Sequence, residues 1–135
     1  MKILIFGGHG VIGKKVAHYF GDKHDLIIAG RTRGDVTVNI NNVQSIAAMY
    51  HSTGTVDAVI NIAGEAKWET FETLTEEDYY VGIQSKLMGQ VNLVRLGKNY
   101  VTAGGSITLT TGILAAPPVA QTTRAAMVNG ANHSV

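Results

Sequence analysis

Short runs of continuously apolar residues alternate along the chain with longer stretches in which apolar residues recur every three or four positions. The runs are Ile3-Leu4-Ile5-Phe6, Leu26-Ile27-Ile28-Ala29, Ala58-Val59-Ile60-Asn61-Ile62-Ala63 and Ser106-Ile107-Thr108-Leu109-Thr110, with a shorter alternating one at Val36-Thr37-Val38. Runs of Ile, Val and Leu without polar alternation predict strands covered on both faces, as in a parallel sheet. Between them, residues 11–20 place Val11, Ile12, Val16, Tyr19 and Phe20 on one side, and residues 43–50 carry Val43, Ile46, Ala47, Met49 and Tyr50. Residues 76–100 form the longest predicted helix, with Ile83, Leu87, Val91 and Val94 stepping by four, four and three, and a last helix is predicted over 119–131. Strands that alternate with helical crossovers predict a doubly wound parallel α/β sheet of about five strands, with helices on both faces in an αβα arrangement.

Composition narrows the classes. A chain of 135 residues supports one domain, and it buries enough surface to fold without disulfides or a structural metal. Hydrophobic residues make up 45% and charged residues 16%, which excludes intrinsic disorder. A net charge of +1 implies no basic face, so no nucleic-acid partner is expected. The absence of cysteine removes disulfide frameworks, thiolate metal sites and cysteine nucleophiles together. His18, His24, His51 and His133 lack metal-ligand spacing, so no metal is expected. No apolar run approaches a membrane span, and none resembles a secretory leader. The expectation is a cytoplasmic protein without a membrane partner.

Glycine is over-represented, at 16 residues, and its placement carries chemistry. Gly7-Gly8-His9-Gly10-Val11-Ile12-Gly13 follows the first predicted strand and opens the first predicted helix. Gly8-x-Gly10-x-x-Gly13 has the dinucleotide-binding spacing: a tight turn, close backbone approach to a pyrophosphate, and an anion at a helix N-terminus. The same residues, Gly8 to Lys14, also fit the first seven positions of a nucleoside-triphosphate phosphate loop. That motif next needs Ser or Thr for Mg²⁺, and here Lys15 follows. The second strand ends Ala29-Gly30-Arg31-Thr32-Arg33, with no acid before Asp35. An acid there would hold a ribose 2′-hydroxyl, whereas Arg31 suits a 2′-phosphate, which favours NADP(H) over NAD(H).

With these features the sequence resembles the short-chain dehydrogenase/reductase family. Asn61-Ile62-Ala63-Gly64 resembles the family's Asn-Asn-Ala-Gly, with Ile62 in place of the second Asn. Gly7, Gly10 and Gly13 match its glycine loop, with Phe6 in place of Thr. Val38-Asn39-Ile40 is similar to the segment that flanks the adenine. The resemblance implies a Rossmann-like fold with strand order 3-2-1-4-5. It also implies cofactor contacts from Gly7, His9, Gly10, Val11, Ile12, Gly13, Arg31, Asn39, Ile40, Asn61, Ala63 and Gly64. It further implies a small-molecule carbonyl or alcohol substrate and a homodimer or homotetramer, in which Ile83, Leu87 and Val94 divide between core and interface. Family members run on through further strands, so residues 1–135 are expected to be one cofactor-binding domain without the family's C-terminal strands.

The family's catalytic residues are replaced. A Tyr acts as acid/base with a Lys four residues later, since a phenol near its ordinary pKa of about 10 needs a cation beside it. The last Tyr here is Tyr100 and the last Lys is Lys98. Aligning Gly105–Gly112 with the family's serine segment puts Gly112, or Thr111 one residue earlier, at the Ser. The Tyr and Lys positions then fall on Ala125 and Asn129, and Lys86 stands where the family has an Asn. Two readings follow: an oxidoreductase with an altered mechanism using Thr111, Thr110 and Lys86, or a catalytically silent NADP(H)-binding protein. Trp68 and Phe71 are candidates for an apolar substrate wall.

Overall fold

The computed structural model describes residues 1–65, 69–115 and 119–135. Trp68 and the Pro117-Pro118 loop lie outside the described residues. Strands β1 (Lys2–Phe6), β2 (Asp25–Gly30), β3 (Val36–Thr37), β4 (Val56–Asn61) and β5 (Val101–Thr108) form one sheet in the order β3-β2-β1-β4-β5. Every neighbouring pair is parallel. β1 and β4 bury their apolar runs as expected, whereas β5, at the end of the strand order, is mostly exposed instead of covered on both faces. This is the Rossmann-like α/β fold, with its topological switch between β1 and β4.

Alternate residues of β1 face opposite layers. Leu4 and Phe6 join Ile46, Met49, Tyr50 and Leu93 on one side, beneath helices α2 (Val43–Thr53) and α4 (Gly89–Gly97). Ile3 and Ile5 pack with Val16, Ala17 and Phe20 of helix α1 (Val11–Gly21) on the other. The buried face of α1 is therefore Gly13, Val16, Ala17 and Phe20. Val11, Ile12 and Tyr19, expected on that face, are exposed. The glycine contact at the helix start sets the rotation of α1, because a Cβ on Gly13 would lie 2.7 Å from Gly8 Cα.

The helix expected over 76–100 is three segments in one rod. Thr75 caps α3 (Glu76–Gly82) in a reciprocal capping box with Asp78. A π-helical turn, Ile83–Met88, then leads into α4. The extra residue rotates the face that meets the sheet. Ser85, Gly89, Gln90 and Leu93 are buried, while Ile83, Leu87 and Val94 are only partly so. Strand β5 starts at Val101 and carries a bulge, because Val56 pairs with Val101 but Ala58 pairs with Ser106. Helix α5 (Thr123–Asn132) begins four residues after the expected start and packs against the π turn and α3.

Candidate functional site

The carboxyl ends of β1, β2 and β4 open into a cleft of about 200 Å³ lined by Phe6, Gly7, Ala29, Gly30, Arg31, Val38, Ile40, Ala63, Gly64, Glu65 and Ser85. Open α/β sheets bind ligands outside the carboxyl ends of their strands, beside the switch point. Gly7 adopts φ +79°, and a Cβ there would sit 2.9 Å from Ala63 N, so the glycine lets the ends of β1 and β4 touch. Gly10 is the N-cap of α1 and offers no side-chain cap. The first-turn N–H groups of α1 therefore point outward beside the cleft, where the helix dipole favours an anion.

Each glycine of the loop has a distinct reason. Gly8 packs against Ile28 and Gly13 against the loop backbone, so both are fixed by packing. Gly10 is exposed, with φ −74°, and a Cβ there would meet only Gly7 O, at 3.3 Å. Packing constrains this position less than Gly7 or Gly13, and the absence of a side chain leaves the α1 N-terminus uncovered. The loop thus fits a dinucleotide.

Not every expected contact residue faces the cleft. Asn61 is fully buried. Its Nδ2 donates to Ala63 O at 3.1 Å and to Gln90 Oε1 at 3.0 Å, and its Oδ1 accepts from Ala63 N at 3.2 Å. It shapes the turn that presents Ala63 and Gly64 instead of reaching outward. The Asn39 side chain accepts from Asn41 N at 3.1 Å, and its backbone N–H donates to Ser45 Oγ at 2.9 Å, so Asn39 orders the entry to α2. Val38 and Ile40 on either side of it line the cleft. His9 is half-buried in the glycine loop, and Val11 and Ile12 are exposed in the first turn of α1.

Thr111 and Lys86 belong to the same end of the sheet but to different hydrogen-bond groups. Gln90 Nε2 donates to Lys86 O at 2.9 Å and to Thr110 O at 3.1 Å, while Thr110 N donates to Gln90 Oε1 at 3.0 Å. Gln90 thereby ties the π turn to the ends of β4 and β5. The π turn leaves the Lys86 carbonyl open to a second donor, Asn132 Nδ2 at 3.3 Å. The half-buried Lys86 side chain runs over Gly64, and burial holds its pKa below the ordinary lysine value. Thr111 Oγ1 donates to Asn129 O at 3.0 Å, tying the end of β5 to α5. Asn129 and Asn132 each bury a side-chain oxygen without a partner.

Two residues of this region were not apparent in the sequence. Glu65 pairs with Arg31 across the cleft at 2.7 Å. Arg124, only 4% exposed, donates from Nη1 to Asp78 O at 2.9 Å and fastens α5 to α3. Among the described residues no cluster of His, Cys, Asp or Glu could hold a metal, and no helix is long and apolar enough to cross a membrane.

The family model for NAD-dependent epimerases and dehydratases matches residues 3–108. The chain belongs to this family. No curated protein sequence matches it. Among solved structures, the protein lin1944 from Listeria innocua is 46% identical, with a TM-score of 0.96 over 99% of this chain and 67% of that one. A small-chain dehydrogenase in complex with NADPH is 26% identical, with a TM-score of 0.91 over 99% of this chain and 61% of that one. Serine dehydrogenase from Escherichia coli, 20% identical with a TM-score of 0.84 over 99% of this chain and 72% of that one, shares the fold. The resemblance to short-chain dehydrogenases/reductases holds, and this epimerase/dehydratase-family chain is a divergent relative of them.

Proposed function

We propose that the chain binds NADP(H) and acts as an oxidoreductase on a small carbonyl or alcohol substrate. The observation that carries the reading is the exposed Gly10 beside the uncapped N-terminus of α1, with Arg31 on the wall of the adjoining cleft. The pyrophosphate would lie on the backbone of Gly7, Gly10, Val11, Ile12 and Gly13, with His9 beside it. The adenosine would lie between Ile40 and the Ala63-Gly64 turn, which Asn61 and Asn39 hold in shape from behind. Arg31 would take the 2′-phosphate. The NADPH complex of a 26%-identical relative supports this choice over NAD(H).

Bound NADPH supplies the hydride. The chain must then orient a carbonyl and provide a proton. Lys86 is the proton donor in this reading: the stem of its side chain packs on Gly64, and burial makes its ammonium more acidic than that of an ordinary lysine. Thr111 would orient the substrate oxygen by turning its hydroxyl away from Asn129 O, to which it donates in this structure. The alternative, a silent NADP(H)-binding protein, is favoured by Ala125 and Asn129 standing at the family's Tyr and Lys positions. Homodimers or homotetramers would form through α3–α4 and α5, where Tyr80, Val81, Met88 and Met127 are exposed.

Calorimetric titration with NADPH, NADH and Mg²⁺–ATP tests the ligand, and tighter binding of ATP would overturn it. A carbonyl-substrate screen that follows NADPH oxidation tests the chemistry. Turnover that is lost in both Lys86→Ala and Thr111→Ala supports the altered mechanism. Clear NADPH binding without turnover on any substrate favours the silent reading. A monomer by light scattering at tens of micromolar would count against the oligomer.

A further inference from the structure

Arg31 and Glu65 stand at the carboxyl ends of strands that are not neighbours. β2 and β4 flank β1, so their ends are separated by about 10 Å, two strand spacings. The side chains close this gap over Phe6 and Gly7, with Arg31 Nη2 2.7 Å from Glu65 Oε1. Both residues line the same cleft, and each side chain is about half exposed, 55% for Arg31 and 53% for Glu65. The contact given by Arg31 Nη2 and Glu65 Oε1 engages one corner of a guanidinium that carries five N–H donors and is about half exposed. A carboxylate therefore already lies on the cation that a 2′-phosphate would seek.

We propose that Glu65 sets cofactor selectivity by competing with the adenosine 2′-phosphate for Arg31. This rests on the NADP(H) reading above. A phosphorylated cofactor can displace the carboxylate from Arg31, or bind the remaining guanidinium edge with a like charge close by. Either course lowers its affinity, and neither touches a cofactor that has only a 2′-hydroxyl. Glu65 thus narrows the preference that Arg31 creates and holds Arg31 across the cleft until the cofactor arrives. The pair is exposed to water, which limits the effect: such ion pairs shift an equilibrium by up to about fivefold.

Calorimetry of the chain and of Glu65→Gln with adenosine 2′,5′-bisphosphate, NADPH and NADH tests the role. Glu65→Gln is expected to tighten the bisphosphate and NADPH by about threefold to fivefold and to leave NADH unchanged. In an Arg31→Ala background the same substitution should produce no gain. NADPH binding that is unchanged or weaker in Glu65→Gln overturns the proposal, as does a gain that persists without Arg31. Weaker NADH binding also overturns it, because Glu65 would then hold a ribose hydroxyl. If neither chain binds any of the three ligands, the NADP(H) reading falls and this proposal with it. NADPH bound equally by both chains removes only the role of Glu65.

Discussion

The carboxamide of Asn129 covers the α-carbon of Gly112: a Cβ added to Gly112 would lie 2.6 Å from Asn129 Nδ2. These are the positions that align with the family's Ser and Lys, so the two replacements are coupled in space. Asn129 is 3% exposed, so its carboxamide must shift within the interior to admit a Cβ. Gly112→Ser is therefore expected to destabilise the chain by about 1–3 kcal/mol, the usual range for overpacking. Gly112→Ser with Asn129→Ala should recover most of that loss, a non-additivity that urea denaturation of the two single variants and the double variant measures.

Tyr50 shows the opposite arrangement, a large side chain admitted by a glycine. Its hydroxyl donates to Leu93 O at 3.0 Å, its ring stacks on Tyr100 at 5.4 Å between centroids, and a Cβ on Gly97 would lie 2.7 Å from its Cζ. Burial pushes the phenol pKa well above its ordinary value. Above a pH of about 10 the unfolded chain loses this proton while the folded chain keeps it. Stability from this group must then fall as pH rises, by up to about 1.4 kcal/mol per pH unit. Tyr50→Phe should lower stability near neutral pH by about 1 kcal/mol and flatten the alkaline decline, as followed by thermal melts across pH.

For Lys86 the sign reverses, because burial lowers the pKa of a cation. If Lys86 delivers the proton, the rate of carbonyl reduction falls as pH rises through that lowered value, below the ordinary lysine range. Lys86→Arg stays protonated across the accessible range. Its kcat profile should therefore lose the alkaline limb, whatever its absolute rate. An alkaline limb that persists in Lys86→Arg assigns the proton to another group.

The sheet was legible because apolar runs and their crossovers leave few topologies once chain connections stay short and right-handed. The fine rotations were not. Apolar periodicity put Val11, Ile12 and Tyr19 inward, but the contact of Gly13 with the glycine loop turns α1 so that all three face outward. Likewise the sequence placed Ile83, Leu87 and Val94 between core and interface without naming the residues that fill the buried face, and all three are partly buried. The π turn rotates Ser85, Gly89 and Gln90 inward instead, and no residue pattern announces one extra residue in a helical turn. Glu65 was missed for a different reason. It follows the Asn61–Gly64 motif closely, but only the placement of β1 between β2 and β4 brings it to Arg31. An acid just after that motif, beside a strand-ending Arg, was the available signal.

The glycine loop offers the sharpest separation of folding from binding. Gly13 is buried, and a Cβ there would lie 2.7 Å from Gly8 Cα, which is backbone and cannot yield cheaply. Gly13→Ala should therefore lower the melting temperature, with a loss of about 1–3 kcal/mol. Gly10→Ala should behave differently. Gly10 has a φ open to any residue, and its added Cβ would meet only Gly7 O at 3.3 Å. Its stability should fall less than that of Gly13→Ala, by about 0.5–1.5 kcal/mol, since alanine is a poorer N-cap than glycine. The added methyl group would stand in front of the α1 N-terminus, where the pyrophosphate is expected, and NADPH affinity should drop about tenfold or more. Paired melting curves and NADPH titrations of the two variants make the comparison. A Gly10→Ala chain that binds NADPH like its parent would show that the phosphates do not approach this loop.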